Sequence, residues 1–579
     1  MATINLGKIK PLYKGTYADD VTYRPLDFTR YFGNLYVCKA TSTGHMPTDS
    51  NYFDPLVSNN SADAISYLPA GTGATATTVR AKLLEVLSVK DFGAVGDGIK
   101  DDTEAIQAAI TYAGLRGRAL YAPAGRYRCT STLVSTRGFT LYGDHPINKA
   151  PGGADFGGGS WLYFDHGGKG LSLDGINGHY TDTTLRSIGT YRNQPAPAAN
   201  WAPNPHDYDI YAFGCADITI DDVLLLNPTK GIGLFGDPAH GAGRMNLYHV
   251  RMQAFQIGVM IDATYDVTRI DNLHVWPFWR DDMRVHTYCM NNLDAIYMLR
   301  NDNPLMTNVF TIFARAGLRI GQGANGGTSK IHLVNADLDR GVVGIWVDAT
   351  VTGGTTGQFE NITHQGEPGV PGSKGLLVQG NNCQLQFGSF DSAYCHHNAV
   401  RVEGSGNKIT FSAAKATAFD RSGAGFPAFE ALAANTLVFA TVPTLVSPGA
   451  GGMFAPQGNI VCDVWRSFTP VVSSGTGALS ACNSAGWYKV VGDTMHVRFE
   501  IYVVKNGAAA GDIRFALPLG VNATNTSIGH GRETAGSGKA LTVTALVGSS
   551  FALINNYDNT YPGADGYKLV GTLQYPISV

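Results

Sequence analysis

Between residues 216 and 412 a short apolar pattern returns about once every 23–30 residues, with one longer unit. Each unit carries two apolar residues separated by one position and a third one three positions later, as in Ile218-Thr-Ile220-Asp-Asp-Val223 and Met245-Asn-Leu247-Tyr-His-Val250. A second apolar segment follows in most units, for example Gly344-Ile-Trp-Val347. One unit is too small to bury its own apolar face, but stacked units share a continuous core. The repeat therefore predicts an all-β solenoid, a parallel β-helix, rather than an array of sandwich domains with a much longer period.

The composition agrees with a chain made of strands and tight turns. Glycine supplies 71 of 579 residues, or about 12% against the usual ~7%. Only eight of the 46 acidic residues are Glu, and Asp is the acidic residue that turns favour. The formal net charge of −3 argues against nucleic acid or a membrane surface as a partner, because both require a basic surface.

Residues 1–10 lack the apolar segment of a signal peptide, and no apolar stretch approaches the ~18 residues of a membrane span. We therefore expect no membrane insertion, and synthesis in a cytoplasm without a signal peptide. The eight cysteines lie far apart with no C-x-x-C pair, which argues against a disulfide framework and against a zinc site. The sequence predicts no metal and no cofactor.

The segments around the repeat divide the chain into further parts. Residues 1–57 are dense in Tyr and Phe and predict a small β module, whose aromatic side chains form either a core or a sugar-binding surface. Residues 58–88 are rich in Ser, Ala, Gly and Thr and predict a neck with a short helix. The solenoid is expected over 89–440 and a linker over 441–462. Alternating apolar and polar residues then predict an antiparallel β-sandwich over 463–579.

The opening of the predicted solenoid carries a specific motif. The sequence VKDFGAVGDGIKDDTEAIQAAI at residues 89–110, followed by LYAPAGRY at 120–127, resembles the start of pectate-lyase-like right-handed β-helix proteins. In that family a short helix caps the N-terminal end of the solenoid, and residues 101–110 have the acidic start and apolar stripe of such a helix. With the small module and neck before it, the chain resembles a bacteriophage tailspike of the kind that degrades capsule or O-polysaccharide.

This resemblance implies features that the residues alone do not. The solenoid would be right-handed, and the protein would be a homotrimer in the phage virion. The N-terminal module would attach it to another phage tail protein. The C-terminal sandwich would serve trimerisation or sugar binding, and the main partner would be a bacterial capsular or other surface polysaccharide.

Aligning the repeats by their apolar residues predicts two neighbouring columns of outward side chains. Equivalent residues of successive coils stack about 4.8 Å apart, and outward residues two apart in a strand lie about 6.6 Å apart. The first column contains Leu224, Arg251, His274, Phe313, Asp337, Thr363 and Asp391. The second contains Leu226, Gln253, Trp276, Arg315, Asp339, Gln365 and Ala393, with Glu367 two positions further along. One face of the solenoid is thus expected to carry Arg, His, Trp and carboxylate side chains.

The carboxylates of this face are the predicted catalytic residues. Glycoside hydrolysis uses two carboxyl groups, about 5–5.5 Å apart for retention or 6.5–9.5 Å for inversion. Asp339 with either Asp337 or Glu367 fits these spacings, and crowding of the two anions would keep one of them protonated. Asp302, just before the next coil, is a further catalytic candidate.

The longest coil, at about 267–303, is rich in aromatic and basic residues and predicts a wall of the binding groove. Sugar rings stack on aromatic faces, and Arg pairs bidentately with acidic sugars. The predicted substrate-binding residues are His274, Trp276, Trp279, Arg280, Arg315 and His364. The alternative is that the aromatic residues only close the side of the solenoid.

The leading function is therefore a polysaccharide depolymerase that acts by hydrolysis. A lyase that abstracts a proton beside a uronate carboxyl is the alternative chemistry, with its base and cationic clamp drawn from Arg251, His274, Arg315, His332 and His364. A spike that binds polysaccharide without cleaving it is a second alternative. A secreted pectinase is disfavoured by the added modules at both ends. The sequence leaves open the glycan, its linkage, and whether the groove lies within one chain or between chains.

Overall fold

The computed structural model describes residues 10–56, 62–63, 65–148, 157–175, 182–367, 369–432, 434–447, 449–455, 459–491 and 493–577. The chain divides into two compact units, Met1–Leu87 and Ser88–Val579. Part of the predicted neck, at residues 58–61 and 64, lies outside the described residues. No helix within the described ranges is long and apolar enough to cross a membrane.

The first unit contains a small sheet with an aromatic core. Its strands and its helix are Leu12–Thr16, Asp27–Tyr31, Asn34–Cys38, Phe53–Pro55, Ser66–Tyr67, Thr77–Thr78 and, for the helix, Val79–Leu83. Tyr23 and Phe53 are almost fully buried, with ring centroids 5.6 Å apart, and Tyr17 stacks on Tyr23 at 5.5 Å. These rings form the core of the module, because burying large aromatic side chains supplies much of the apolar area that a small unit needs.

A helix follows the glycine-rich motif at the start of the second unit. Helix Thr103–Arg116 buries one apolar stripe, formed by Ile106, Ala109, Ile110 and Ala113. The motif before it is held by Asp102, whose carboxylate accepts hydrogen bonds from the backbone N–H groups of Val95 (2.7 Å) and Gly96 (2.8 Å). The acidic residues of the motif thus have a structural role, because they fold the glycine-rich loop back onto the start of the helix.

The solenoid is formed by two parallel sheets that the chain enters in turn. The strands of the first sheet are Asp97–Asp101, Ala119–Ala122, Gly125–Cys129, Thr140–Gly143, Ser160–Phe164, Thr184–Arg186, Gly189–Arg192, Thr219–Asp221, Leu224–Leu226, Asn246–Tyr248, Arg251–Gln253, Arg269–Asp271, His274–Val275, Leu305–Ile312, Ile331–Gly341, Thr356–Gly366, Gln384–Ala393, Lys408–Thr417, Thr436–Phe439 and Thr444–Val446. The strands of the second sheet are Leu133–Ser135, Leu171–Asp174, Tyr208–Phe213, Lys230–Phe235, Ile257–Asp262, Asp294–Met298, Ala316–Ile320, Val343–Val347, Lys374–Val378, Val400–Val402 and Phe429–Ala431. The remaining short elements are Leu87–Ser88, Val89–Phe92, Met283–Asn292, Gln322–Gly323 and Gly326–Gly327. This parallel architecture confirms the predicted all-β solenoid.

The apolar pattern of the repeat has its origin in a bend within the first sheet. The residue before the third apolar position has a left-handed backbone, as at Asp222 (φ 51°) and Asn335 (φ 56°). Asn and Asp tolerate this conformation better than other side chains with a Cβ. Three bend residues of successive coils also donate hydrogen bonds to the coil before them: Asn308 Nδ2 to Asp271 Oδ1 at 3.0 Å, Asn335 Nδ2 to Asn308 Oδ1 at 3.3 Å and Asn361 Nδ2 to Asn335 Oδ1 at 3.0 Å.

Inside the solenoid, equivalent side chains of successive coils stack on one another. Phe359, Phe387, Phe411 and Phe439 form an internal ladder with neighbouring ring centroids 4.8, 5.0 and 5.2 Å apart. This spacing follows the distance between neighbouring strands, about 4.8 Å. The ladder shows why a coil is stable only in a stack, since each ring is covered by the rings above and below it.

The C-terminal part of the second unit is an antiparallel sandwich, as predicted. Its elements are Asn459–Phe468, Val472–Thr476, Ala481–Val491, Thr494–Lys505, Ala510–Ala516, Pro518–Gly520, Ser527–Glu533, Ala540–Ala545, Phe551–Asn556 and Lys568–Pro576. The strand of Phe499 pairs with Ala481–Val491 and Lys568–Pro576, and the strand of Phe515 pairs with Val472–Thr476 and Phe551–Asn556. The two rings are nevertheless 4.7 Å apart across the core. The sheet therefore folds over and buries its inner face.

The boundary between solenoid and sandwich differs from the predicted linker. Within 441–462, strand Thr444–Val446 still pairs with the solenoid. Strand Asn459–Phe468 begins in parallel pairing with Thr436–Phe439 and continues in antiparallel pairing with Ala481–Val491. One strand therefore belongs to both parts, and the last solenoid coil passes directly into the sandwich.

Candidate active site

Successive strands of the first sheet bring a row of polar and aromatic side chains onto one outer face. Backbone pairing joins, in order, Arg251, His274, Phe310, Asp337, Thr363 and Asp391, which we call the outer row. Beside this row, Trp276 follows the paired residue Val275, and Ile312 pairs with Asp339. The two rows match the predicted columns in every coil but one, where Phe310 and Ile312 occur instead of Phe313 and Arg315.

The exception arises because one coil fits the apolar pattern in two ways. Strand Leu305–Ile312 is apolar along most of its length, so the third apolar position could be Ile312 or, three residues earlier, Val309. The left-handed residue Asn308 (φ 54°) directly before Val309 marks the alignment that the structure adopts. The prediction of Phe313 and Arg315 in the two columns is therefore wrong by three residues.

Asp337 and Asp339 lie on strand Ile331–Gly341 and both point outward. Asp337 is exposed, and its Oδ1 accepts a hydrogen bond of 2.9 Å from Thr363 Oγ1. Asp339 is half-buried, and burial raises its pKa above the usual range. The negative charges of Asp337 and, more weakly, Glu367 raise the pKa of Asp339 further, against the opposing effect of Arg340. Asp339 therefore has the environment of a carboxyl group that keeps its proton to a higher pH than an ordinary aspartate.

Glu367 directly follows strand Thr356–Gly366 and is ion-paired with Arg340. The Arg340 guanidinium donates hydrogen bonds of 2.6 and 2.9 Å to the two carboxylate oxygens of Glu367, whose side chain is 11% exposed. Arg340 also lies over the ring of Phe313, 4.8 Å from its centroid. We refer to Asp337, Asp339 and Glu367 as the carboxylate cluster. Arg340 was not among the predicted site residues, although its position directly after Asp339 in the sequence is a signal for it.

Aromatic side chains stand beside the carboxylate cluster. Phe310 lies next to Asp337 in the outer row, and its ring centroid is 4.7 Å from that of His274 and 6.0 Å from that of Trp276. All three rings are partly exposed. Burial lowers the pKa of His274, and the charge of Arg251 lowers it further, so His274 is neutral near neutral pH. These rings form an aromatic wall on which a sugar ring could stack.

Phe313 supports the cluster from behind instead of facing the groove. It is buried, and its ring stacks on His286 with centroids 3.9 Å apart. His286 belongs to helix Met283–Asn292 and lies 3.5 Å from Asp281. The long coil therefore contributes a helix that packs against Phe313, and the Arg340 guanidinium lies over the ring of Phe313.

Three predicted substrate-binding residues do not face the groove. Trp279 is 2% exposed and packs in an aromatic core cluster with Trp201 and Phe255. Arg280 lies over the Trp279 ring, 5.4 Å from its centroid. His364 is 3% exposed and its Nδ1 lies 3.1 Å from Ser392 Oγ inside the solenoid, where burial lowers its pKa to about 3. For Trp279 and His364 the prediction is wrong, because Trp279 packs into an aromatic core cluster and the strand position of His364 points to the interior.

Two further predicted residues are held in ion pairs elsewhere on the solenoid. Arg315 donates hydrogen bonds of 2.9 and 2.6 Å to the buried carboxylate of Asp294, next to the second sheet. Asp302 pairs with Arg300 at 2.9 Å. Asp302 comes just before the first residue of strand Leu305–Ile312. Asp339 pairs with Ile312, the last residue of that strand, so Asp302 lies at the other end. The structure therefore brings Asp337, Asp339, Glu367, His274 and Trp276 together but not Asp302 or Arg315.

No group of three or more His, Cys, Asp or Glu side chains in the described part of the chain could hold a metal ion. One carboxyl with a raised pKa, an exposed neighbouring carboxylate and an aromatic wall are suited to acid–base catalysis on a sugar polymer.

Comparisons with known proteins match the start of the solenoid most specifically. A family model described as rhamnogalacturonase A/epimerase, pectate lyase-like, matches residues 86–179. The mannuronan C5-epimerase AlgE5 of Azotobacter vinelandii is 62% identical over 42 residues, which are 7% of this chain and 4% of that protein. A glucan 1,3-beta-glucosidase of Cochliobolus carbonum is 38% identical over 58 residues, 10% of this chain and 7% of that protein. The chain thus spans only a small fraction of the length of these relatives.

A solved structure is similar over most of the chain. The crystal structure of the Dettilon tailspike protein aligns with a TM-score of 0.50 and 13% sequence identity, covering 86% of this chain and 96% of that chain. Together with the family match, this likeness shows a pectate-lyase-like fold, in agreement with the resemblance seen in the sequence.

Proposed function

We propose that this protein is a tailspike-like depolymerase that binds a bacterial surface polysaccharide, with a capsule as the leading candidate, and cleaves it by glycoside hydrolysis. The observation that carries the proposal is the environment of Asp339. This carboxyl is half-buried, its pKa is raised, and it lies between Asp337 and Glu367 beside the aromatic wall. A protonated carboxyl next to an ionised one is the pair that glycoside hydrolysis requires.

In this mechanism Asp339 is the general acid. It gives its proton to the glycosidic oxygen as the bond to the anomeric carbon breaks. Asp337, which is exposed and reachable by water, accepts a proton from the attacking water molecule. Outward residues two apart in a strand lie about 6.6 Å apart, which favours inversion, where the carboxyl groups are about 6.5–9.5 Å apart. The product should therefore have the opposite anomeric configuration to the substrate.

Glu367 has a positioning role in this proposal. Both of its oxygens accept hydrogen bonds from Arg340, which makes it a poor proton donor or nucleophile. Its negative charge helps to keep the proton on Asp339, whereas Arg340 favours the ionised form. The pair therefore adjusts the pKa of the acid and fixes the end of strand Ile331–Gly341.

Sugar rings would bind along the outer row. Trp276 and Phe310 offer apolar faces for stacking, and Arg251 offers a cation at the far end of the row. Consecutive residues of the row are about 4.8 Å apart, so a few coils span several sugar units of a polymer. A long substrate laid across the coils would then pass directly over the carboxylate cluster.

The comparisons support a polysaccharide as substrate. The local relatives are named for mannuronan and for a glucan, and a tailspike protein has a similar fold. Under the same proposal the protein is a homotrimer in a phage virion, and its N-terminal unit attaches to another tail protein. Light scattering on the purified chain should then give about three times the monomer mass of 61.6 kDa.

A polysaccharide lyase is the second candidate, and one observation favours it. His274 is neutral near neutral pH and lies next to Arg251 in the outer row. A neutral His could abstract the proton beside a uronate carboxyl while the Arg binds that carboxylate. Of the other residues predicted for this chemistry, His364 is buried, Arg315 is ion-paired with Asp294, and His332 lies at the opposite end of strand Ile331–Gly341 from Asp339. His274 and Arg251, whose guanidinium also contacts Asp222 at 3.3 Å, remain beside the cluster.

The two chemistries are separated by their products. The purified protein is incubated with capsular polysaccharides from a panel of encapsulated bacteria while polymer size, new reducing ends and ultraviolet absorbance are followed. Hydrolysis gives reducing ends without absorbance, whereas β-elimination gives an unsaturated uronate that absorbs. If the protein binds a glycan but cleaves none, both enzyme hypotheses are wrong and only the hypothesis of a spike that binds without cleaving remains.

A further inference from the structure

A second groove lies on the outer face of the C-terminal sandwich. It has a volume of about 660 Å³ and is lined by residues that include Trp465, Trp487, Arg498, His530, Arg532 and Thr572, which we call the sandwich groove. It contains no residue of the carboxylate cluster or of the outer row. Nothing in the proposed cleavage of a polysaccharide uses it.

The side chains that line the groove come from paired residues of neighbouring strands, and they point away from the core. Trp487 pairs with Arg498, Arg498 with Thr572, and Thr572 with His530, so these side chains form a continuous line across neighbouring strands. The residues between them, such as Val497 and Phe499, point into the core. Alternation along each strand therefore puts every member of this line on the same outer face.

Aromatic and cationic groups are combined at this face. Trp487 is 37% exposed, which is high for a residue that large. The Arg498 guanidinium lies over the ring of Trp465, 4.1 Å from its centroid. Such a stack holds the guanidinium flat and leaves its edge available for a carboxylate.

The cations of the groove are not neutralised by neighbouring acids. Neither Arg498 nor Arg532 forms an ion pair with any residue that the structure describes. Glu500, the acidic residue of the lining, is paired with Lys568 at 2.8 Å. The groove therefore presents unmatched positive charge beside exposed indole rings.

We propose that the sandwich groove binds a glycan segment that bears a carboxylate, such as a uronate unit. The tryptophan rings would stack on the C–H face of a sugar, and Arg498 and Arg532 would bind its carboxylate with charge-assisted hydrogen bonds. A purely apolar partner would leave both guanidinium groups buried without an anion, which is costly. Binding here requires no cleavage, so the proposal stands independently of the chemistry at Asp339.

The test uses the full-length chain labelled with 5-fluorotryptophan and followed by fluorine NMR. The signals of Trp465 and Trp487 among the seven tryptophans are assigned with the Trp465→Phe and Trp487→Phe variants. Tetrasaccharides of galacturonate, guluronate, mannuronate and hyaluronan are the acidic probes, and maltotetraose is the neutral probe. We expect at least one acidic probe to shift both signals, maltotetraose to leave them unchanged, and added salt to weaken the effect.

Substitutions then locate the binding. Arg498→Ala and Arg532→Ala should each weaken binding of the acidic probe about tenfold or more. Lys505→Ala and Tyr557→Ala, which remove an exposed cation and an exposed ring outside the groove, should leave it unchanged. Asp339→Asn should leave it unchanged as well, which separates this site from the catalytic proposal.

Three results would overturn the proposal. The first is the absence of a shift with every acidic probe, and the second is an equal shift with maltotetraose. The third is a fall in the assembled mass, measured by light scattering, when Trp487 is replaced by Ala. That last result would mean that a second copy of the chain covers this face.

Discussion

Arg340 donates hydrogen bonds of 2.6 and 2.9 Å to the two carboxylate oxygens of Glu367, across two neighbouring coils of the solenoid. Because Arg340 directly follows Asp339, this pair connects the proposed acid to the next coil. The positive charge of Arg340 lowers the pKa of Asp339, and the negative charge of Glu367 raises it. Because the two residues lie in neighbouring coils, the protonation of Asp339 depends on how these coils stack.

Removing either proposed catalytic carboxyl should abolish most of the cleavage without loss of binding. We expect Asp339→Asn and Asp337→Asn each to lower kcat by roughly 10²–10⁴, because each removes one step of proton transfer. Reducing-end assays give the rate, and retention on immobilised polysaccharide gives the binding. Asp391→Asn is the matched control, since Asp391 is in the outer row but paired with Lys415 at 2.8 Å. An equal loss in the control would argue against a specific role for the cluster.

Glu367→Gln should move the alkaline limb of the pH–rate profile to lower pH. The charge of Glu367 raises the pKa of Asp339, and Arg340 lowers it, so the substitution removes the first effect and leaves the second unopposed. Asp339 acts while protonated, and the rate falls as the pH rises through its pKa. The check is a kcat–pH profile compared with Glu403→Gln, a glutamate paired with Arg401. A fall in rate with no shift of the limb would mean that Glu367 acts only on stability.

Trp276→Ala and Trp279→Ala should have opposite effects. Trp276 is partly exposed beside Phe310, so its loss should raise KM about tenfold with little change in stability. Trp279 is buried in an aromatic cluster, so its loss should cost about 3–5 kcal/mol of folding free energy. Thermal unfolding and steady-state kinetics on both variants separate the effects. Equal destabilisation by the two variants would contradict the assignment of Trp276 to the groove.

Glu533 should stabilise the sandwich in a pH-dependent way. Burial alone would raise the pKa of Glu533, but hydrogen bonds from the backbone N–H groups of residues 535, 536, 538 and 568 lower it to about 2. A carboxyl whose pKa is lowered on folding stabilises the folded state above its unfolded pKa. That contribution is lost as the pH falls toward the folded pKa. We expect Glu533→Gln to cost roughly 2–3 kcal/mol near neutral pH and almost nothing near pH 2.

Denaturant unfolding of the full chain across this pH range measures the effect. Glu500→Gln is the control, because Glu500 is half-exposed and paired with Lys568. If Glu533→Gln lowers the free energy of unfolding by the same amount at neutral and at acid pH, the carboxylate charge is not what stabilises this loop.

Much of the site could be predicted because the solenoid converts sequence spacing into spatial order. Arg251, His274, Asp337 and Thr363 are distant in the chain, yet their equivalent places in the repeat identify them as neighbours. The prediction failed where the apolar pattern was ambiguous, in strand Leu305–Ile312, since Val309 and Ile312 both satisfy it. Asn308 directly before Val309 matches Asn272, Asn335 and Asn361 at the bends of neighbouring coils, and this match would have selected Val309.

The other wrong assignments have different causes. His364 was predicted to bind substrate, but the predicted columns place its neighbours Thr363 and Gln365 on the outer face, so strand alternation turns His364 inward, where it pairs with Leu338. Trp279 lies in an irregular coil segment, where no strand alternation indicates the direction of a side chain. Its burial depends on Trp201, which is distant in the sequence and belongs to no repeat position.

The all-β solenoid, its capping helix, the sandwich after it and most of the outer row could be predicted from the sequence alone. These follow from local patterns, because apolar periodicity decides which side chains are buried and coil stacking decides which are neighbours. The pairing of Arg340 with Glu367, the contact of Arg340 with Phe313 and the burial of Trp279 became visible only in the folded chain. Those contacts involve strand ends and irregular segments of different coils, and their geometry depends on how the packed chain fills space rather than on any repeating spacing.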